Sequence, residues 1–272
     1  MDSKNELKKL LDSIACIAGG EYSNKIMELT TTATPEPIRT IAEAMGMMMV
    51  KVEGREFQLE QMVEKLTVLN KQIRTNTLQT VEAMAQALEA RDAYTRGHAE
   101  RVAALAAEIA HEMGLSDSQI ETVRIAGVLH DLGKIGCSDR IFQHNNAAPT
   151  PELRQEINSH PTTGAEILSR LDFLDEVRSI IWCHHERVDG HGYPRALSAQ
   201  EIPLEACIVA VADAFDAMTT DRPYQQAKPD TQALDILRNG AGTAWDKNCV
   251  AAFERVMTQK WQKNLEHPAD IS

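Results

Sequence analysis

Ile125-Ala126-Gly127-Val128-Leu129-His130-Asp131-Leu132-Gly133-Lys134 joins an apolar helical stretch to an imidazole and a carboxylate standing side by side. A buried carboxylate without a partner is strongly disfavoured or gives up its charge, whereas a divalent cation satisfies both groups together. Taken alone, the run reads either as a hydrogen-bonded structural pair or as the end of a core helix that delivers two metal-type donors to one point. The rest of the chain decides between these readings.

Four more histidines fall where they can join the pair. His98 opens a helix whose apolar stripe, Val102, Leu105, Ile109 and Met113, keeps helical spacing, so His98 is expected to face the core with that stripe. His160 precedes Pro161, the arrangement of a helix first turn, which sets an imidazole beside free backbone donors. His184 and His185 follow Val177, Ile180 and Ile181, and each lies four residues after an isoleucine, so both rings extend apolar rows. Asp213 sits in Ala206-Cys207-Ile208-Val209-Ala210-Val211-Ala212-Asp213-Ala214-Phe215, a helix apolar on every side and therefore buried. No basic residue within one helical turn can neutralise Asp213, while Asp216 reads as a surface or capping carboxylate. Five imidazoles and two carboxylates make a nitrogen and oxygen donor set, suited to iron, manganese or another first-row ion rather than to a thiolate zinc site.

Six ordered blocks resemble the HD-GYP family of bacterial cyclic di-GMP phosphodiesterases over roughly residues 83 to 260. They are Glu89 to His98, His130 to Lys134, His160-Pro161, His184 to Pro194 with its Gly192-Tyr193-Pro194 loop, Val211 to Asp216, and Asp221 to Tyr224. The resemblance implies an all-α fold, an HD-domain helical bundle, and the layout of the residues before it adds a preceding coiled-coil or HAMP-like helical segment. It implies that His98, His130, Asp131, His160, His184, His185 and Asp213 ligate two divalent ions per chain, with Asp131 as the bridge. Lys134, Tyr193 and Arg222 fall where family members contact the nucleotide, and Asp131 and Lys134 where they serve catalysis. The implied reaction is hydrolysis of cyclic di-GMP, or of the related 3′,3′-cyclic GMP-AMP, to a linear dinucleotide or to mononucleotides. Two other readings stand beside it: an HD phosphohydrolase of a different nucleotide, and a catalytically weak module that binds the dinucleotide.

The chemistry calls for these residue types. A phosphodiester is anionic, so attack on phosphorus needs charge neutralisation, an activated water and in-line geometry, all of which paired metal ions supply. Lys134, three residues after Asp131, is placed to stabilise negative charge on the leaving oxygen. Gly190, Gly192 and Pro194 shape a stiff loop from which Tyr193 projects a ring and a hydroxyl.

Several positions depart from the family pattern. Tyr94 stands where members with three metals carry a glutamate, which favours two ions. His191 is a surface ring, a base contact or a further ligand, and the surface ring is favoured. The Phe142 to Pro149 stretch lacks a Lys-Pro-Gly run, Cys207 replaces a frequent arginine, and Gln225 replaces a basic residue that follows Arg-Pro-Tyr.

A net charge of -12 argues against a polynucleotide surface, where clustered lysine and arginine are expected. Five cysteines without a C-x-x-C pair fit a reducing cytoplasm. The sequence offers neither a membrane-spanning apolar run nor a signal-peptide core after Met1 to Lys9, so a cytoplasmic chain is expected.

Residues before 83 follow another periodicity. Leu7, Leu10, Ile14 and Ile17 form a short amphipathic helix that Gly19-Gly20 stops, and a threonine-rich connector leads to Pro35-Glu36-Pro37. Ile38, Ile41, Met45, Met48 and Val52, then Leu59, Met62, Leu66, Leu69 and Ile73, keep one heptad register across Gly54. The layout resembles a HAMP module in residues 1–54, followed by a coiled-coil linker in 55–82, a catalytic domain in 83–263 and a tail in 264–272. A parallel homodimer through the heptad seam is expected, with an amphipathic helix packed on its own domain as the plainer alternative.

Overall fold

A computed structural model describes residues 3–20, 24–91, 96–142, 150–221 and 226–266. Tyr94, residues 143–149, Arg222 and Gln225 lie outside the described residues. Among the described residues every regular element is helical and no strand occurs, which is the all-α class. The chain divides into two compact units, Met1–Thr75 and Asn76–Ser272.

In the first unit, helix α1 (Ser3–Ala18) stops before Gly19 as its glycine pair requires. The threonine-rich connector is more structured than its composition suggests. It contains a 3-10 turn, Asn24–Thr30, that fully buries Ile26 and Leu29. These side chains form a small core with Leu10 of α1 and with Ile38, Ala42 and Met49 of helix α2 (Glu36–Glu89). The two buried positions, Ile26 and Leu29, lie just before the threonine run, in a stretch too short and polar to mark as an element from composition. Helix α2 continues through Gly54 without a break and is 54 residues long. Along it Leu59, Met62, Leu66, Leu69 and Ile73 are all exposed.

The second unit contains the last turns of α2, then α3 (His98–Glu112), α4 (Asp117–Leu129), α5 (Pro151–Asn158), α6 (His160–Leu168), α7 (Asp175–Cys183), α8 (Leu204–Thr219), α9 (Asp230–Gly240) and α10 (Lys247–Glu266). Short 3-10 turns lie at Leu132–Gly136, Asp139–Phe142 and Asp172–Leu174. Ser116 and Gln119 form a capping box that starts α4, and Thr150 with Pro151 starts α5. Helix α8 packs against α3, α4, α7, α9 and α10, which is why its sequence is apolar all round. Val102 and Ile109 of α3, Val123 and Leu129 of α4, Ile181 of α7, Ile208 of α8 and Phe253 of α10 form one continuous core. Asp213 thus enters the middle of the bundle from α8, facing α3 and α4.

Candidate metal centre

His130, His160 and His184 sit at helix ends, where each ring turns back onto a backbone carbonyl. Nδ1 of His130 donates to Gly127 O at 2.7 Å, His160 Nδ1 to Ile157 O at 2.7 Å, and His184 Nδ1 to Ile181 O at 2.7 Å. A carbonyl only accepts, so each contact fixes the proton on Nδ1 and leaves the Nε2 lone pair for the centre. His98 is oriented by a side chain instead, donating from Nδ1 to Asp216 Oδ2 at 2.7 Å. Oriented rings of this kind are the usual outer support of metal sites.

The inward atoms fall into two groups. His98, His130 and Asp213 form one, and His160, His184 and His185 the other, with the ligand atoms of each group within 4.8 Å of one another. Asp131 lies between them. Its Oδ2 is 3.7 Å from His130 Nε2 and 4.0 Å from His98 Nε2, while its Oδ1 is 3.5 Å from His160 Nε2. Asp213 Oδ1 is 3.3 Å from His98 Nε2 and 3.8 Å from His130 Nε2. All seven expected ligands are therefore brought together, and Lys134 joins them, its Nζ 2.6 Å from Asp131 Oδ2.

Two glycines make this geometry possible. A Cβ on Gly133 would stand 1.9 Å from His160 O, so only glycine lets the turn after Asp131 press against the start of α6. A Cβ on Gly192 would stand 2.5 Å from Glu186 Cα, and the loop closes there for the same reason. That closure brings the Tyr193 ring to 4.8 Å from the His185 ring. Burial pushes the Tyr193 phenol up, so it remains a hydroxyl able to donate. His191 is exposed, with Nδ1 3.5 Å from Asp189, and the surface-ring reading fits it.

Asp216 corrects the sequence reading. It is 6% exposed and faces neither solvent nor a cap. Besides His98 it accepts Arg101 Nε at 2.6 Å and Nη2 at 3.0 Å, a two-point grip from α3. The signal was its spacing: three residues after Asp213 it shares that residue's helix face. Glu186 was also missed. Its carboxylate is 5% exposed and accepts the backbone N–H groups of Arg195 at 2.7 Å and Leu197 at 3.0 Å, tying the exit of the tyrosine loop back to its entry.

Charge is distributed so that cations are welcome. Burial opposes ionisation of Asp131, but Lys134 and the rings of His130, His160 and His98 hold its carboxyl well below the usual range. Burial likewise opposes ionisation of Asp213, and His98 and His130 overcome it. Burial alone would lower His98, yet Asp213 and Asp216 raise it to about 9. Burial lowers His160 to about 4, His185 to about 3 and His184 well below its ordinary value, so these rings are neutral.

These shifts give the metal-free chain an optimum. His98 is raised, so its contribution is complete below 6.5 and is lost as pH climbs through about 9. His160 and His185 are depressed, so theirs is present above 6.5 and lost as pH falls through about 4 and about 3. Calorimetry in chelator is expected to show the melting temperature highest near pH 6.5 and lower on both sides. A steady rise from pH 4 to pH 9 would contradict this assignment.

The HD domain profile matches residues 82–249, and the chain belongs to the HD-domain family. It is 39% identical to a cyclic di-GMP phosphodiesterase of Thermotoga maritima over 69% of this chain and 52% of that protein. It is 36% identical to the 3′3′-cGAMP-specific phosphodiesterase 3 of Vibrio cholerae over 65% of this chain and 38% of that protein. The chain thus spans about half or less of the length of these two relatives. A crystal structure of a cyclic GMP-AMP-specific phosphodiesterase of V. cholerae has the same fold, with a TM-score of 0.53 and 19% identity over 68% of this chain and 50% of that one. No described helix is long and apolar enough to cross a membrane.

Proposed function

We propose that the chain is a metal-dependent phosphodiesterase that hydrolyses a cyclic dinucleotide, cyclic di-GMP or 3′,3′-cyclic GMP-AMP, in bacterial second-messenger signalling in the cytoplasm. The observation that carries this reading is the pair of three-ligand groups sharing Asp131, set beside the Gly192-Tyr193-Pro194 loop. The residues fit two divalent ions. His130 Nε2 is buried without a hydrogen-bond partner, and a lone pair in that position is satisfied by a cation. The group of His98, His130 and Asp213 would hold one ion, and that of His160, His184 and His185 the other, with Asp131 reaching both. Imidazole and carboxylate donors without thiolate favour iron or manganese. When bound, such a pair supplies charge neutralisation at the phosphoryl group and activation of water.

The protein's own groups do the rest. Lys134 extends an ammonium beside Asp131, where it stabilises the charge that appears on the departing ribose oxygen. Tyr193 offers its hydroxyl to a phosphate and its ring edge to a base, held in place by Glu186 through the loop backbone. Arg222, outside the described residues, is assigned to the nucleotide on the resemblance alone. The test is anaerobic loading with iron or manganese, followed by chromatography of products from cyclic di-GMP, 3′,3′-cyclic GMP-AMP and a panel of mononucleotides. Linear dinucleotide or GMP is expected. Turnover of mononucleotides only, or binding without turnover, would overturn the assignment.

The HAMP-like layout of residues 1–54 and the linker after it form the regulatory part of this proposal, working as a parallel homodimer. Apolar residues repeat at heptad a and d positions of α2 from Ile38 to Ile73, interrupted by one charged residue, Arg55, and from Leu59 to Ile73 they are exposed. In a parallel, in-register pair, Lys51 at g of one chain faces Glu56 at e of the second copy, a complementary contact. The double variant Leu66→Glu with Leu69→Glu is expected to be monomeric by light scattering, because it buries four carboxylates in the seam. A dimer that survives both charges would place the interface elsewhere.

A further inference from the structure

Helix α3 delivers His98 and Arg101 to the centre, yet its own N-terminus lacks a local cap. The capping position is Gly97, which has φ 73° and no side chain to offer. The free N–H of Ala99, at the second position of the helix, is taken instead by Glu89, whose Oε1 accepts it at 3.1 Å. Glu89 is the last residue of α2 and is half-buried. Neighbouring contacts fix it there: Ala85 and Leu88 are buried one turn before and beside it, Gln86 Nε2 donates to Glu100 Oε1 at 3.3 Å, and Arg91 pairs with Asp139. A carboxylate on a helix N-terminus meets both an orphan donor and the positive end of the helix dipole. Leu88 and Glu89 also line a small cavity with Ala99, Val128 and Leu132 that reaches His98 and Asp131.

We infer that Glu89 is a positioning residue: it caps the helix that carries His98, and so sets where His98 stands relative to Asp213 and Asp131. The inference rests on the metal-centre reading above and assigns the end of α2 a part in assembling one of the two groups, the one that contains His98. The group of His160, His184 and His185 does not depend on the first turn of α3, so the effect is local to one ion. Reach matters more than charge, because the accepting oxygen must meet one backbone N–H.

The test uses the full chain, stripped with chelator and titrated anaerobically with Co²⁺, its visible absorption reporting binding. Wild type is expected to bind in two phases. Glu89→Ala should weaken one phase roughly fivefold, the usual factor for losing an N-cap, and leave the other unchanged. Glu89→Gln keeps the accepting oxygen and should bind within about twofold of wild type, while Glu89→Asp keeps the charge, falls short of Ala99 and should behave like alanine. With cyclic di-GMP, kcat of the alanine and aspartate variants should recover at saturating metal with KM unchanged. Unchanged binding in both variants would overturn the inference, as would equal weakening of both phases in step with a lower melting temperature of the metal-free chain. A wild-type chain that takes up no Co²⁺ would overturn the metal reading itself, and the inference with it.

Discussion

Asp131→Ala is expected to abolish turnover and to empty the centre of metal. Its two oxygens face different groups, Oδ2 toward His98 and His130 and Oδ1 toward His160, so alanine removes the one side chain that both ions would share. Losing several kcal/mol of charge stabilisation at about 1.4 kcal/mol per decade of rate corresponds to a fall of at least roughly a thousandfold. Elemental analysis of the purified variant should show well under one ion per chain. Retention of both ions with a modest loss of rate would mean that Asp131 is not the bridge.

Lys134→Ala is expected to give the opposite split, with metal retained and turnover lowered on the order of a hundredfold, the loss typical of removing one charged contact to a transition state. The ammonium lies 2.6 Å from Asp131 Oδ2, close enough to act on the same phosphoryl group yet without a lone pair to ligate a cation. Removing it also frees Asp131 of its strongest neighbouring positive charge, so its carboxyl should protonate more readily in the metal-free chain. Metal analysis beside kcat and KM separates the roles. Loss of metal in parallel with Asp131→Ala would show that Lys134 supports the ligand and does not serve the chemistry.

What the sequence discloses and what it hides divide along the range of the contact involved. His98, His160 and His184 announce themselves because helix starts and stops are local: Pro161 marks one entrance, and apolar spacing marks the inward face of the others. Asp213 stands out because a carboxylate in a helix apolar on all sides has no local explanation. Asp216 is hidden by distance, since its partners His98 and Arg101 lie more than a hundred residues earlier, and a carboxylate next to an apolar run reads as a surface group. Glu89 is hidden for the reverse reason. Its partner is only ten residues away, but it is a backbone N–H, and nothing in side-chain identity marks which helix end goes uncapped. In the first unit, the turn from Asn24 to Thr30 escapes because its burial depends on two residues in a polar stretch.

In the proposed two-ion centre, the grouping of donors accounts for seven ligands where fewer imidazoles would hold one ion. Three neutral rings, His160, His184 and His185, cannot balance a dication alone, and the carboxylate charge resides with Asp131 and Asp213.

Anomalous scattering from crystals loaded with manganese tests this arrangement most directly. Two peaks per chain are expected, one within the group of His98, His130 and Asp213 and one within that of His160, His184 and His185, with Asp131 between them. A single peak, or a fully occupied third, would contradict the two-ion centre.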